Sequence, residues 1–215
     1  VNKVSDEVGS SIVEVVSSSD ANNHEPITGS GVIFKSDGYI VTNFHLINDA
    51  NKILVRLSNG KEFNSKIIAS DSESDITIIK VDGHNLPTAI FGDSSKVRVG
   101  DIAVAVGNFI GDKASGDVTA GIISAASRNL RTSDNSSVME LSNYKVLQTS
   151  ATINSGNSGG ALCDEKGEVI GINSDKINSD DDDDGVGFAV AINDVKDILD
   201  QLMKNGKVIK TFVGI

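Results

Sequence analysis

Short apolar runs rich in valine and isoleucine alternate with polar turn sequences along most of the chain. Five runs precede residue 100, at 31–34, 39–42, 53–57, 66–69 and 76–81. Six more follow it, at 101–107, 118–126, 145–149, 159–163, 168–173 and 187–192. Turn clusters such as Ser36-Asp-Gly38 and Ser58-Asn-Gly60 separate the runs. Runs of β-branched residues between such turns predict β-strands.

Two sets of about six short strands predict an all-β fold with two barrels or sandwiches within one domain, 1–215. We expect the first barrel or sandwich in 1–107 and the second in 117–192, joined near residues 107–117. A C-terminal helix is predicted at 193–206, where Asn193 or Asp194 can cap the start and Asn205-Gly206 the end. Its apolar positions recur at helical spacing: Val195, Ile198, Leu199 and Leu202.

Charge and cysteine content narrow the range of partners. The formal net charge is −11, and the run 180–184 supplies five of the acidic residues. A negative field repels phosphates, so composition argues against nucleic acid and against anionic lipid surfaces as partners. The single cysteine, Cys163, excludes an intramolecular disulfide and is expected to be a small buried side chain.

The ends of the chain indicate a piece of a longer protein. No run reaches the roughly 18 apolar residues of a membrane-spanning helix, and no signal-peptide pattern opens the chain. The last residues, 211–215, have the pattern of a further strand. We therefore expect that an anchor or another domain lies outside this sequence.

The most informative motif is Gly156-Asn-Ser158-Gly-Gly160. Glycines beside a serine let the backbone bend sharply, present the hydroxyl and turn amide N–H groups toward one point. Such amides can stabilise the oxyanion of a tetrahedral intermediate. The alternative is an ordinary glycine-rich turn, so the motif needs a base before it indicates a nucleophile.

One of the three histidines is suited to be that base. His24 and His84 lie in polar turn sequences and are expected at the surface. His45 directly follows the buried run 39–42, where the rim of a barrel can hold its side chain rigidly. Paired with Ser158, it becomes the favoured general base.

The base needs a carboxylate that orients it. Asp75 immediately precedes the apolar run 76–81 and can be desolvated and fixed there. Asp71 is the alternative, but it lies farther from the strand and has the pattern of a turn residue. The chain order His, Asp, Ser is the one found in double β-barrels.

These motifs together resemble the HtrA/Deg family of chymotrypsin-fold serine proteases. The resemblance rests on segments in the same order along the chain: Gly29-Ser-Gly-Val-Ile33, Val41-Thr-Asn-Phe-His45, Asp71-Ser-Glu-Ser-Asp-Ile76, Gly100-Asp101, Gly107-Asn108, Thr119-Ala-Gly-Ile-Ile-Ser-Ala125, Asn154-Ser-Gly-Asn-Ser-Gly-Gly-Ala-Leu162 and Gly185-Val-Gly-Phe-Ala189. It implies a chymotrypsin-like double β-barrel and a triad of His45, Asp75 and Ser158. It also implies an oxyanion hole formed by the N–H groups of Gly156 and Ser158.

The resemblance carries further expectations about biology. It implies a serine endopeptidase of protein quality control and the stress response that cleaves unfolded or damaged chains, without a metal or cofactor. It implies an extracytoplasmic location, in the bacterial periplasm or at the cell surface, with a membrane anchor and a PDZ domain in the full-length protein. Family members are often trimers, so a homotrimer is the implied assembly.

The sequence departs from the family at two positions. Ser150 stands where relatives usually carry Asp, and Phe109 where they carry Pro. With the polar segment 129–144 and the absence of a downstream domain, the departure at Ser150 predicts low but measurable activity, with activation loops partly disordered or misaligned at the oxyanion hole. An Asn157 carbonyl aimed into the hole would be one cause. The loop 17–28 is short for the form of oligomer gating that uses a long loop.

Specificity and regulation can be read from the residues near Ser158. Thr152 stands where trypsin-like enzymes place an acidic residue, so a cationic side chain would be buried unpaired there. With Thr152, the side chains of Ile153, Val186 and Phe188 predict cleavage after small or medium aliphatic residues. The neutral Asn157 argues against activation by a newly cut N-terminus, and the resemblance implies that Arg128 links regulatory loops.

Three alternatives stay open at this point. Asp180, Asp182 and Asp184 mimic the start of an EF-hand loop, but Ala191 stands at the twelfth position, so a solvated loop is favoured over calcium binding. A catalytically silent scaffold that binds unfolded chains is the rival from another functional class. A viral or exfoliative-type protease with one dedicated target is the rival within the fold.

Overall fold

The computed structural model describes residues 1–19, 25–107, 117–128, 144–175 and 185–209, with the side chains of 127 and 128 excepted. Within these residues two α-helices and twelve strands form, and short 3-10 helices lie at Gly9–Ser11 and Ser94–Lys96. The helices are α1 (Asn2–Val8) and α2 (Ile192–Asn205). The strands are β1 (Ile12–Ser18), β2 (Ile27–Lys35), β3 (Tyr39–Asn43), β4 (Lys52–Leu57), β5 (Glu62–Asp71), β6 (Ile76–Val81), β7 (Ile102–Val106), β8 (Val118–Arg128), β9 (Val146–Thr149), β10 (Ala161–Cys163), β11 (Val169–Asn173) and β12 (Gly187–Ala191). Neither helix has the length and apolarity that crossing a bilayer requires.

The strands close into two six-stranded antiparallel barrels, which confirms the predicted fold class. The first has the order β1-β2-β3-β6-β5-β4 and the second β10-β11-β12-β9-β8-β7. Strand β4 alternates buried and less buried positions, as expected where one face meets the barrel interior. Strands β3 and β11 are buried on nearly every residue because each has the other barrel or α2 on its outer face.

The expected boundary between the barrels is corrected by strand β7. We placed the first barrel in 1–107, but β7 pairs with β8 and β10 and so closes the second barrel. The join therefore lies before residue 102, in the stretch after β6. An apolar run carries no mark of which barrel it will complete, which is why the pattern could not place it.

The two barrels share one hydrophobic core with the C-terminal helix. It combines Val41 and Ile78 from the first barrel, Val106 and Ile172 from the second, and the apolar face of α2. Helix α2 ends at Gly206, which takes the left-handed conformation with φ of 69°. Its start differs from the expectation, because the N-cap residue is Ala191 rather than Asn193 or Asp194.

The two residues expected as caps of α2 hold neighbouring segments instead. Asn193 donates to the Asp93 carboxylate at 2.8 Å, and Asp194 accepts from the Lys145 backbone N–H at 2.5 Å. Helix α1 was not predicted. Only Val4 and Val8 of its seven residues are buried, too few to mark a helical period.

Candidate active site

Three short segments from both barrels meet at the seam between them. His45 follows β3, Asp75 immediately precedes β6, and Ser158 lies in the turn 155–159 between β9 and β10. The first barrel thus supplies His45 and Asp75, and the second supplies Ser158. Strand β11 ends at the same place, which brings Ser174 and Asp175 to the site.

Asp75 anchors the segment that carries His45. Its backbone adopts the left-handed conformation, with φ of 58°, which aspartate tolerates better than most residues. In this conformation its carbonyl oxygen accepts from Phe44 N–H at 3.0 Å and from the Asn43 side-chain amide at 3.2 Å. Its fully buried carboxylate faces the same segment.

The carboxylate of Asp75 holds His45 in two places. Oδ1 accepts from the backbone N–H of His45 at 2.9 Å, and Oδ2 lies 2.7 Å from Nδ1 of the ring. Ser174 donates its hydroxyl to the same Oδ2 at 3.0 Å. Three donors satisfy a carboxylate that burial would otherwise penalise. The ring of His45 is thereby oriented with Nε2 directed away from Asp75.

The turn that carries Ser158 docks on strand β2 of the first barrel. Ser30 donates its N–H to the Ser158 carbonyl at 2.8 Å and its hydroxyl to the Gly156 carbonyl at 2.7 Å. Gly159 has φ of +80°, and a Cβ there would lie 2.3 Å from the Ser30 carbonyl oxygen. Only glycine fits this position, so the motif glycine serves docking as well as bending.

The hydroxyl of Ser158 faces oxygen atoms. Its Oγ lies 2.8 Å from Asn43 Oδ1 and 2.9 Å from Asp175 Oδ1, and the Asp175 N–H lies 3.3 Å from it. Nε2 of His45 is buried and has no aligned hydrogen-bond partner among the described residues. The serine and the histidine therefore share the site without a hydrogen bond to each other.

The backbone around Ser158 is internally bonded. The Ser158 N–H donates to the Asn154 carbonyl at 2.9 Å, so in this conformation it does not point into a free oxyanion hole. The Asn157 carbonyl accepts from Gly160 N–H at 3.0 Å and from the Asn173 side chain at 3.2 Å. The suggested cause, an Asn157 carbonyl aimed into the hole, is therefore wrong. The side-chain amide of Asn157 donates to the Thr152 carbonyl. Since this side chain is neutral and already bonded within the turn, it does not form the ion pair that a newly cut N-terminus would need.

Asp175 is a second carboxylate at the histidine. Its Oδ1 lies 3.1 Å from Nε2 of His45, within ion-pair distance although the N–H is not aimed at the oxygen. Burial alone would lower the pKa of His45, but its contacts with Asp175 and Asp75 outweigh burial and raise that pKa from 6.5 to about 9. Burial likewise works to raise the pKa of Asp175, but His45 and the Ser158 hydroxyl bring it below its ordinary value.

The four residues expected to line the substrate pocket do not all meet. Ile153 lies over Gly187, where an added Cβ would approach its Cγ1 to 2.5 Å. Phe188 packs against the core between the barrels, whereas Ile153 packs against the interior of the second barrel. Successive strand residues face opposite sides, so Phe188 points away from the side of β12 that Ile153 covers. Thr152 is exposed and Val186 half-buried.

Several other candidates have structural roles. Asp71 accepts from Ser74 N–H at 3.0 Å and from the Tyr144 hydroxyl at 3.2 Å, the turn role expected of it. Ser150 exchanges hydrogen bonds with the backbone of Ile122 on β8. His84 is exposed. Cys163 is fully buried, and burial raises the pKa of its thiol.

The remaining predictions lie outside the described residues. These are His24, Phe109, the segment 129–143, the side chain of Arg128 and the acidic run 180–184. Among the residues described, no group of His, Cys, Asp and Glu has the arrangement of a metal site.

Sequence reasoning missed Asn43, Ser174 and Asp175. The first two act through short hydrogen bonds that only the closed barrels create. Asp175 had at most a weak signal, since it lies two residues after the strand that ends at Asn173, whereas Asp75 immediately precedes its strand. Only the packing of the two barrels brings its carboxylate to His45.

Two antiparallel barrels with a serine, a histidine and an aspartate at their seam are the arrangement of chymotrypsin-like serine peptidases. The chain belongs to the trypsin-like peptidase domain family, whose model matches residues 29–172, and within it to the HtrA/Deg serine proteases. This confirms the family that the motifs indicated.

Curated relatives and solved structures support this placement. Serine protease Do-like HtrB of Bacillus subtilis (strain 168) is 45% identical over 190 residues, covering 86% of this chain and 41% of the relative. Serine protease Do-like HtrA of the same organism is 39% identical, covering 96% of this chain and 46% of the relative. The chain thus spans less than half the length of these relatives.

Among solved structures, a serine endoprotease from Yersinia pestis matches with a TM-score of 0.80 and 34% identity, covering 100% of this chain and 70% of the other. The HtrA-type protease AlgW with a tripeptide matches with a TM-score of 0.81 and 32% identity, covering 98% and 66%. At these identities the likeness extends beyond the fold to the family.

The docking of the Ser158 turn generates a prediction about stability. Gly159→Ala should destabilise the fold by about 2–4 kcal/mol, because it adds a backbone clash to the cost of a positive φ. Gly60→Ala is the matched control, since Gly60 has φ of +82° with nothing within 4 Å of an added Cβ. Urea unfolding measures both. Equal losses would show that the contact with Ser30 carries no weight.

Proposed function

We propose that this domain is a serine endopeptidase in which Ser158 is the nucleophile, His45 the general base and Asp75 the residue that orients the base. The observation that carries the proposal is the buried Asp75 carboxylate, which binds both the backbone N–H and Nδ1 of His45. A carboxylate at Nδ1 fixes the tautomer whose Nε2 can take a proton from serine, and it stabilises the imidazolium that then forms.

The chemistry is an acyl transfer in two steps. Ser158 Oγ attacks the scissile carbonyl as its proton passes to Nε2 of His45, which then protonates the departing amine. Water hydrolyses the acyl-enzyme by the reverse route. The N–H groups of Gly156 and Ser158 would stabilise the oxyanion, which requires the Ser158 N–H to leave the Asn154 carbonyl first.

The biological role is proposed from the family. Relatives include proteins named probable periplasmic serine endoprotease DegP-like, from Pseudomonas putida and Chlamydia muridarum. Unfolded or damaged protein chains are the proposed substrates, in an extracytoplasmic compartment, with a membrane anchor in the full-length protein. A homotrimer and a regulatory role for Arg128 are proposed on the same basis.

The nucleophile is tested by replacing it. Ser158→Ala should lower casein hydrolysis by about 10⁴-fold or more, because the triad acts as a unit. Ser58→Ala, in an exposed Ser-Asn-Gly turn, should leave hydrolysis unchanged. If Ser158→Ala cleaved casein as fast as the parent, the assignment would fail. Binding of unfolded casein without cleavage at any pH would favour the silent scaffold instead.

Substrate preference is proposed from Ile153. Its side chain and the Ala151 carbonyl oxygen both approach Gly187, so the space between the 151–153 segment and β12 is narrow. The Thr152 carbonyl accepts from Thr119 Oγ1 at 2.7 Å and from the Asn157 side chain at 3.0 Å, which fixes the wall that carries Ile153. We place Thr152 and Val186 at the same pocket, which would accept Val, Ala or Ile. Phe188 is left out because it faces the inter-barrel core.

Shortening Ile153 should therefore widen the specificity. Ile153→Ala is expected to raise kcat/KM for cleavage after Leu or Phe relative to Val by about tenfold, the worth of one or two methylene groups in an apolar pocket. Ile67→Ala, on the exposed side of β5, is the control. Peptide libraries measure the ratio. An unchanged ratio, or dominant cleavage after Lys or Arg in the parent, would contradict the proposed pocket.

A further inference from the structure

Asp175 lies within contact distance of both groups that must exchange a proton. One of its oxygens, Oδ1, lies 3.1 Å from Nε2 of His45 and 2.9 Å from Oγ of Ser158. A hydrogen bond from the serine hydroxyl to Nε2 is the contact that activates the nucleophile. Here a carboxylate oxygen stands within reach of both atoms, and that direct contact is not made.

Two carboxylates on one imidazole fix its protonation. Asp75 Oδ2 lies at Nδ1 and Asp175 Oδ1 at Nε2, and ionised carboxylates only accept hydrogen bonds. Two negatively charged oxygens within 3.1 Å of the ring favour its positively charged form, although the Nε2–H is not aimed at Asp175. Both nitrogens therefore carry protons, and a doubly protonated imidazole cannot act as a general base.

The hydroxyl of Ser158 is held by the same arrangement. Its single proton can go to Asn43 Oδ1 at 2.8 Å or to Asp175 Oδ1 at 2.9 Å, and neither acceptor is the base. The Asp175 N–H lies 3.3 Å from Oγ on the other side. The Ser158 hydroxyl is thus hydrogen-bonded to groups other than the base, and these contacts must break before the reaction begins.

We infer that Asp175 is a carboxylate latch, which pairs with His45 and Ser158 in the resting site and sets the pH at which the site becomes active. The inference rests on the proposed function of His45 and Ser158 and goes beyond it, because the triad alone assigns no role to a third carboxylate. The latch competes with the catalytic contact, because Asp175 Oδ1 contacts both Nε2 of His45 and Oγ of Ser158, the two atoms that should bond to each other.

Exposure distinguishes the latch from the orienting carboxylate. The side chain of Asp75 is fully buried and takes three hydrogen bonds, so it cannot leave the histidine. The side chain of Asp175 is 30% exposed, which gives it a path toward solvent. Because the carboxylate contacts Ser158 Oγ, we expect a substrate that binds there to displace it.

The latch makes activity depend on pH in a defined direction. Within the described residues, Asp75 and Asp175 are the only charged groups that act on His45. Together they raise the pKa of His45 to about 9, so near pH 7 about one molecule in a hundred holds a neutral base. Activity should rise with pH through about 9. Without the carboxylate of Asp175, the pKa of His45 should fall toward its ordinary value.

The first experiment compares pH–rate profiles of the full chain on a peptide with one valine cleavage site. Asp175→Asn keeps the shape of the side chain and removes its charge. It should move the apparent pKa of kcat/KM from about 9 to about 7 and raise kcat/KM at pH 7 by on the order of tenfold or more. Asp82→Asn, which removes a charge from a fully exposed position, should match the parent.

Folding of the variant is checked through the same linkage. A raised His45 pKa stabilises the fold fully below the ordinary pKa, and this contribution is lost as pH rises through about 9. Asp175→Asn should therefore have a lower Tm than the parent near pH 7 and the same Tm near pH 10. If the Tm of Asp175→Asn were lower than that of the parent at both pH values, the variant would have a packing defect. That result would contradict the latch.

An independent readout separates the latch from the proposed function. Histidine NMR titration of the parent should show His45 with a pKa near 9, and of Asp175→Asn with a value near 7, whether or not peptide is cleaved. Ordinary values in both would overturn the latch even if Ser158-dependent hydrolysis were found. If Asp175→Asn lowered the NMR pKa of His45 as expected but Ser158→Ala still hydrolysed the peptide, the His45–Asp175 pair would stand. The assignment of Ser158 as the nucleophile would then be wrong.

Discussion

The site depends on one constraint, the left-handed backbone of Asp75. That conformation turns both its carbonyl and its carboxylate toward the end of β3, where they accept from four donors between residues 43 and 45. Without it, His45 would lie on an ordinary loop after a strand and its ring would be free to rotate. The cost of a positive φ and of a buried carboxylate is offset by these bonds and by the hydroxyl of Ser174.

The second barrel contributes by contact rather than by position alone. The turn that carries Ser158 is held on Ser30 of β2, and Ser174 reaches from the end of β11 to Asp75. The site exists only when the barrels are packed together over their common core. This coupling also explains why Asp175, the next residue after Ser174, falls beside His45. Because Ser174 is held at Asp75, the next residue, Asp175, brings a second carboxylate to His45.

The same imidazole is thus subject to two opposite demands. In the proposed mechanism, Asp75 raises the basicity of His45 so that the imidazole can take a proton from Ser158. The second carboxylate, Asp175 at Nε2, raises that basicity too far. A base works best when its pKa lies near the working pH, because a higher value leaves it protonated. The inferred resting site therefore holds His45 almost entirely in its protonated form near pH 7. The Ser158 N–H, bonded to the Asn154 carbonyl, is in the same resting state.

Much of this architecture is readable from the sequence, and what is not has physical reasons. Turn chemistry and β-branched runs predicted the two barrels, and a helical period located α2 within one residue. The barrel to which β7 belongs, and the burial side of Phe188, depend on strand pairing that no local pattern contains. His45, Asp75 and Ser158 could be proposed because each sits at a strand end or a glycine turn. Asp175 lacks the position that marked Asp75, because it follows a strand and is separated from it by Ser174, and only its distance to Nε2 gives it a role.

The account is tested most directly by covalent labelling of the nucleophile with an organophosphonate at several pH values, the modified residue being located by mass spectrometry. We predict a single label on Ser158, with a rate that rises through about pH 9 as His45 loses its second proton. Labelling at the same rate from about pH 6 upward would contradict the resting pair of His45 and Asp175. Labelling of another residue, or none at any pH, would contradict the proposed nucleophile.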